Sequence, residues 1–145
     1  MPAFLALTRP RFARVPVLYY LHENQFTYPR LRGTKLNSWF GQINYMSALT
    51  ADRVAFNSEY HRRDFLSALR TLATQPNNWL VEEAIDEIAS KSEVLPVGVD
   101  LAGLDAHRVE RGPGAVPLIL WNHRWEFDKS PEMFARVIEQ LAGEG

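Results

Sequence analysis

The chain has 145 residues, 46% hydrophobic and 12% aromatic, so it carries enough apolar side chain for a core, and its composition argues against intrinsic disorder. It contains no cysteine, which excludes disulfides and thiolate chemistry, and no apolar run approaches the length of a membrane span. The net charge of −1 combines a net +5 in residues 1–36 with a net −6 in the other 109 residues. The apolar stretch at residues 1–7 is too short for a secretion signal, so we expect a cytoplasmic protein.

A near-continuous apolar run at residues 15–21 (VPVLYYL) predicts a strand covered on both faces. Four polar residues follow it at once: His22, Glu23, Asn24 and Gln25. Ligands of open α/β sheets bind at the carboxyl ends of strands. His22 is therefore a candidate for hydrogen bonding to a substrate hydroxyl or to a developing charge, and the alternative is a histidine that caps local backbone.

The middle of the chain alternates helical and extended patterns. Residues 36–49 predict a helix, residues 53–56 a strand, and Asn57-Ser58 an N-cap for a helix that carries apolar residues up to Leu72. A further helix is predicted around residues 81–88 and a third strand at 93–97. This alternation predicts a parallel α/β sheet.

The last predicted unit follows a linker at residues 102–117. Residues 118–121 (LILW) predict a fourth strand, residues 122–129 a polar turn, and Pro131 the first position of a helix that stops at Gly143. Arg124 and Lys129 in the turn suit a diphosphate, because guanidinium and ammonium groups both bind phosphate oxygens. The alternative from spacing alone is that they pair with Glu126 and Asp128 on a solvated turn.

No common metal or nucleotide motif is present. A zinc-protease motif would need a histidine at position 26, which is Phe, and the four histidines are scattered, so we expect no metal site. The chain has no GxGxxG, no P-loop and no GxSxG around Ser58.

Four segments together resemble the tRNA-queuosine mannosyltransferases, GT-B enzymes related to family 4 glycosyltransferases. They are LHENQFTYP (21–29), FGQINYMSALTADRVAFNSEYHRRDF (40–65), VLPVGVDL (94–101) and LWNHRWEFDKSPEMF (120–134). The patterns HENQ-x-x-YP and HRWE-x-DK-x-P are specific in combination, whereas ADRVAFNSEYHRRDF (51–65) alone is generic to family 4. The resemblance runs through residues 5–141.

The resemblance implies retaining, metal-independent transfer of mannose from GDP-mannose, as co-substrate and without a cofactor, to queuosine in tRNA. His22 matches the catalytic-cleft histidine of the N-terminal domain, and Arg124 and Lys129 match the pair that binds the donor diphosphate. Glu23, Asn24 and Gln25 belong to the same motif and are expected to bind substrate. The implied partners are a nucleotide-sugar and tRNA, with no membrane and no metal.

The resemblance also implies that the chain is a fragment of an α/β GT-B enzyme. Residues 1–110 would be the C-terminal half of the N-terminal, acceptor-side Rossmann-like domain. Residues 111–145 would be the linker and first β-α unit of the C-terminal, donor-nucleotide Rossmann-like domain. The remaining part of that second domain carries the acidic motif for the donor, so we expect this chain alone to be inactive.

Two alternatives stay open. The basic residues of the first 36 could mark a noncatalytic nucleic-acid-binding α/β module. The chain could also belong to another family 4 glycosyltransferase with a different acceptor.

Overall fold

Three short parallel strands organise the computed structural model, which describes residues 2–29, 38–76 and 78–143. The strands are β1 (Leu18–Leu21), β2 (Arg53–Phe56) and β3 (Ser92–Val94), and their order in the sheet is β1-β2-β3. Leu21 pairs with Phe56, and Phe56 pairs with Val94. The carboxyl ends of the three strands are therefore level at one edge of the sheet. The described residues thus confirm a mixed α/β fold with a parallel sheet.

Six α-helices and one short 3-10 helix accompany these strands in the described ranges. The helices are α1 (Pro2–Phe12), α2 (Ser38–Thr50), α3 (Glu59–Ala73), α4 (Glu82–Ser90), α5 (Leu101–Asp105) and α6 (Pro131–Gly143), and the 3-10 turn is Phe127–Lys129. Helix α2 connects β1 to β2, and α3 and α4 connect β2 to β3, as parallel pairing requires. Over the described residues, no helix combines the length and apolarity needed to cross a membrane.

The core lies around the central strand. Val54, Ala55 and Phe56 of β2 are fully buried. Helices α2, α3 and α4 contribute further buried apolar side chains, which are Tyr45, Ala48, Phe65, Leu66, Leu69, Ile85 and Ile88. Phe65, Leu66 and Leu69 share one face of α3 because their spacing follows the helical repeat. Arg70 of α3 also pairs with Glu82 and Asp86 of α4, at 3.3 and 2.9 Å.

The ends of the predicted strands are shortened for identifiable reasons. The run predicted at 15–21 becomes a strand only from Leu18, because Pro16 has no N–H and the Val17 N–H donates to the Asp52 carboxylate at 2.6 Å. The third strand ends at Val94, although the Leu95 N–H still donates to the Phe56 carbonyl at 2.8 Å. Pro96 follows and cannot donate, so the ladder stops there.

The predicted fourth strand is wrong. Residues 115–122 have no regular secondary structure, and Leu118 and Leu120 are 76% and 75% exposed. A strand needs a neighbour to satisfy its backbone groups, and no strand in the described part of the chain pairs with this segment. The helix that follows is confirmed, with Pro131 at its first position. Of the predicted β-α unit, the described residues thus form the helix but not the strand.

The described residues form two compact units. The first contains residues 2–28 and 38–98 except Asn77, with the sheet and helices α1 to α4. The second contains residue 29 and residues 99–143, with α5, the 3-10 turn and α6. Helices α1 and α5 are not among the predicted elements. The start of the helix predicted at residue 36 and three of the basic residues (Arg30, Arg32 and Lys35) lie outside the described residues.

Replacing Leu69 by Ala should test whether the α3 face carries the stability of the first unit. Leu69 is fully buried, so the truncation removes buried area and leaves a cavity, which costs about 2–5 kcal/mol. Urea unfolding followed by circular dichroism measures this loss. Leu7→Ala, on the exposed side of α1, is the matched control and should change the midpoint little. Equal effects of the two substitutions would contradict this account of the core.

Candidate active site

The turn that follows β1 is held by side chains of α2 and of the segment between β2 and α3. His22 directly follows Leu21, its ring is exposed, and that ring meets the edge of the Tyr20 ring at a centroid distance of 5.1 Å. The amide of Asn57 donates to the His22 carbonyl oxygen at 2.9 Å. The amide of Asn44 donates to the next carbonyl, that of Glu23, at 3.1 Å. The backbone of the turn is therefore fixed while the imidazole of His22 faces solvent.

Asn24 is the buried anchor of this turn, with 7% of its surface exposed. Its Nδ2 donates to the Asp64 carboxylate at 2.7 Å, and its Oδ1 accepts from the Phe26 N–H at 3.0 Å. Thr27 also donates its hydroxyl to Asp64. One carboxylate of α3 thus holds both ends of the 24–27 turn. The Asn24 amide is thus engaged by Asp64 within the fold. The predicted contact of Asn24 with substrate stays a prediction.

Glu23 and Gln25 lie together on the outer side of the turn. The Gln25 amide donates to the Glu23 carboxylate at 3.0 Å. Glu23 is exposed and Gln25 is half-buried. Their side chains can accept and donate hydrogen bonds to a polar ligand, as the substrate-binding prediction requires, and that prediction remains a prediction.

His61 is a buried polar residue that the sequence did not single out. It lies one turn into α3 with 6% of its surface exposed, and its Nδ1 is 3.1 Å from the Asn57 Oδ1. Its ring packs edge-on against Phe56 at 5.1 Å. Burial lowers the pKa of His61 below 6.5, and this outweighs the opposing effects of Asp64 and Glu23. The neutral imidazole is therefore the form that the fold favours.

The position of Asn57 was a signal that could have identified this cluster. Asn57 follows β2 just as His22 follows β1, and parallel strand ends lie side by side. The sequence pattern predicts only a helix N-cap at Asn57-Ser58. Ser58 does cap α3, since its hydroxyl accepts from the His61 N–H at 3.2 Å. Asn57 instead contacts the turn that contains His22.

Arg124 and Lys129 lie in the second unit, each beside a carboxylate. Arg124 is 3.1 Å from Glu126, and its side chain is 75% exposed. Lys129 is 2.8 Å from Asp128, whose side chain is 5% exposed. The neighbouring backbone turns sharply at Ser130, which has a positive φ of 53°, before buried Pro131 starts α6. The pairing foreseen as an alternative is thus observed, and diphosphate binding stays a prediction.

Aromatic packing supports this second turn from one side. The ring of Trp121 lies 4.5 Å from that of Phe134 in α6 and 5.3 Å from that of His123. These contacts connect the segment before the turn to the helix after it. Among the residues that the structure describes, no group of three or more histidines or carboxylates could hold a metal ion.

The chain is similar to known tRNA-modifying enzymes. Residues 1–99 match the family described as tRNA-queuosine alpha-mannosyltransferase N-terminal. A Drosophila melanogaster protein named tRNA-queuosine alpha-mannosyltransferase is 29% identical over 141 residues, which cover 92% of this chain. The alignment covers 37% of that relative, so the chain spans little more than a third of its length. No solved structure matches the chain.

Gly41→Ala should disturb the turn through Phe26. A Cβ at position 41 would lie 2.5 Å from two carbons of the Phe26 ring, and that ring packs against Phe65 at 6.0 Å. The ring must move, so we expect a destabilisation of about 1–3 kcal/mol in urea unfolding. Gly143→Ala has open space around its Cβ and is the matched control. A loss as large in the control would refute the proposed clash.

Acid should weaken the fold through His61. Because its folded pKa is lowered, the unfolded chain takes up a proton as the pH falls through 6.5, before the folded chain does. The contribution of neutral His61 to the free energy of unfolding is therefore complete above pH 6.5, and it is lost progressively as the pH falls below that value. Urea unfolding of the wild type and of His61→Gln between pH 5 and 7.5 measures it. The difference in free energy of unfolding between the two proteins should shrink toward acid pH. A constant difference would contradict a lowered pKa of His61 in the folded chain.

Proposed function

The chain belongs to the tRNA-queuosine alpha-mannosyltransferase family, and on this premise we propose that the protein containing it transfers mannose from GDP-mannose to queuosine in tRNA. The observation that carries the proposal is the family match over residues 1–99, which includes the turn from His22 to Gln25. Descent from a glycosyltransferase family does not depend on which donor or acceptor the protein uses.

In the proposed reaction His22 faces the sugar. Its ring is exposed at the carboxyl edge of the parallel sheet, where ligands of α/β proteins bind. The backbone around it is fixed by Asn44 and Asn57. An imidazole on such a rigid support can hydrogen-bond a sugar hydroxyl or a developing charge without reorganising when the reaction occurs.

Arg124 and Lys129 would bind the donor diphosphate. Exposed ion pairs contribute only about 0–1 kcal/mol, so exchange of the Glu126 carboxylate for a doubly charged diphosphate costs Arg124 little. Guanidinium can then bind two phosphate oxygens at once. Lys129, next to Asp128 and before the αL turn at Ser130, would add a point charge.

The proposed architecture is that of a GT-B enzyme with two Rossmann-like domains. Residues 1–110 would belong to the acceptor-side domain and residues 111–145 to the linker and the start of the donor-nucleotide domain. We infer that transfer proceeds with retention of configuration and without a metal. Because the chain spans about a third of the length of its Drosophila relative, activity is proposed for the protein in which it occurs.

A transfer assay tests the proposed function. The protein containing this chain, radiolabelled GDP-mannose and tRNA with queuosine should give labelled tRNA, and the same tRNA without queuosine should not. Label on a lipid or small molecule instead would replace the acceptor assignment. Salt-dependent tRNA binding without transfer, and unaffected by GDP-mannose, would favour the noncatalytic nucleic-acid-binding alternative.

Arg124→Ala and Lys129→Ala should each raise the KM for GDP-mannose by about tenfold or more, because each removes a charge-assisted contact with the diphosphate. Arg136→Ala is the matched control, since Arg136 is an exposed cation of α6 whose Nε donates to the Glu132 carbonyl at 3.3 Å. Its KM should stay within twofold of the wild type. An unchanged KM in both turn variants would contradict the diphosphate assignment.

A further inference from the structure

The side-chain amide of Asn57 lies between two histidines. Its Nδ2 donates to the His22 carbonyl at 2.9 Å, and its Oδ1 is 3.1 Å from the His61 Nδ1. The same Oδ1 accepts from the Ser58 hydroxyl at 3.2 Å. The buried imidazole of His61 is thus connected through one amide to the backbone of the residue proposed to face the sugar.

The contacts of Asn57 assign a direction to each hydrogen bond in this connection. A carbonyl oxygen can only accept, so the amide nitrogen of Asn57 faces His22 and its oxygen faces His61. The Nδ1 of His61 must then carry the proton that this oxygen accepts. The Nε2 of His61 is buried and has no hydrogen-bond partner among the described residues. A neutral, Nδ1-protonated ring therefore braces the amide.

We propose that Asn57, braced by His61, is a positioning residue that holds His22 for sugar transfer. This inference rests on the proposed function, in which His22 faces the sugar. Asn57 acts on the backbone of residue 22 and does not touch substrate.

Through its hydrogen bond to the His22 carbonyl, Asn57 can determine the position of the His22 ring. The Asn57 bond fixes the carbonyl of residue 22, one residue beyond the end of β1, while Tyr20 contacts the ring from the strand itself. Without the amide donor, this carbonyl loses its described side-chain partner. A misplacement of the imidazole by only about 1 Å would be enough to reduce the rate by about a hundredfold.

The groups around His61 explain why an amide suits position 57. The charges that act on His61 are Asp64, on its own helix, and Glu23, on the turn, while Phe56 covers one edge of the ring. A carboxylate at position 57 would add a third negative charge next to the ring and would favour imidazolium. It would also place an acceptor against the His22 carbonyl, which is repulsive.

Asn57→Asp is the decisive variant, because it keeps the shape of the side chain and its acceptor but removes the donor. In the transfer assay we expect kcat to fall ten- to a hundredfold while the KM for GDP-mannose stays within twofold. Asn78→Asp is the matched control, since the Asn78 amide also donates to a backbone carbonyl, that of Gln75, at 2.8 Å, away from the turn. It should keep the wild-type kcat. A wild-type kcat in Asn57→Asp would overturn the proposal.

A second measurement does not depend on activity. Nitrogen NMR of the histidine rings should show the Nδ1-protonated form of His61 in the wild-type protein, and the imidazole signals of His22 should move in Asn57→Asp but not in Asn78→Asp. A wild-type protein that transfers no mannose would defeat the proposed function, and the NMR result would still decide the positioning. An Nε2-protonated His61 or unmoved His22 signals would overturn it.

If Asn57→Asp does not fold, His61→Gln tests the proposal in its place. It leaves the Asn57 amide in place and removes its ring brace, so we expect a three- to tenfold loss of kcat with an unchanged KM for GDP-mannose. A kcat equal to that of the wild type would overturn the role of His61 as the brace.

Discussion

The parallel register of β1, β2 and β3 is the constraint on which the rest of the first unit depends. Leu21, Phe56 and Val94 lie side by side, so the residues that follow the first two strands, His22 and Asn57, meet at one edge of the sheet. A register shift of one residue would turn the side chains of a strand to the opposite face. The Asn57–His22 contact follows from this alignment.

Burial of polar groups is the second feature of this edge, and the partners come from α3, from Asn57 and from the turn itself. A buried amide or imidazole destabilises the fold unless it is hydrogen-bonded. Asn24 meets this requirement through Asp64 and the backbone of its own turn. His61 meets it at Nδ1, whereas its buried Nε2 has no hydrogen-bond partner among the described residues. Such a network specifies one arrangement, because other arrangements leave more polar atoms without partners.

Elements with strong local patterns could be predicted from the sequence, and those that depend on distant partners could not. The buried strand β2, the face of α3 and the Pro131 start of α6 are each encoded within a few residues. The segment 118–121 has the composition of a strand but no strand beside it in the described chain, and composition cannot supply one. The role of His61 was equally hidden, since a single histidine on a helix reveals its environment only once the neighbouring turn is in place.

The two cations of the second turn illustrate why a pairing seen without ligand does not argue against phosphate binding. Arg124 and Glu126 are both substantially solvated, so their attraction is screened and replaceable. Lys129 differs, because the side chain of its partner Asp128 is almost fully buried, and separating the partners of a buried ion pair is strongly destabilising. Lys129 is therefore held in place by the fold, while Arg124 is free to exchange carboxylate for another anion. A diphosphate at this turn would find one cation already positioned and a second able to move to it.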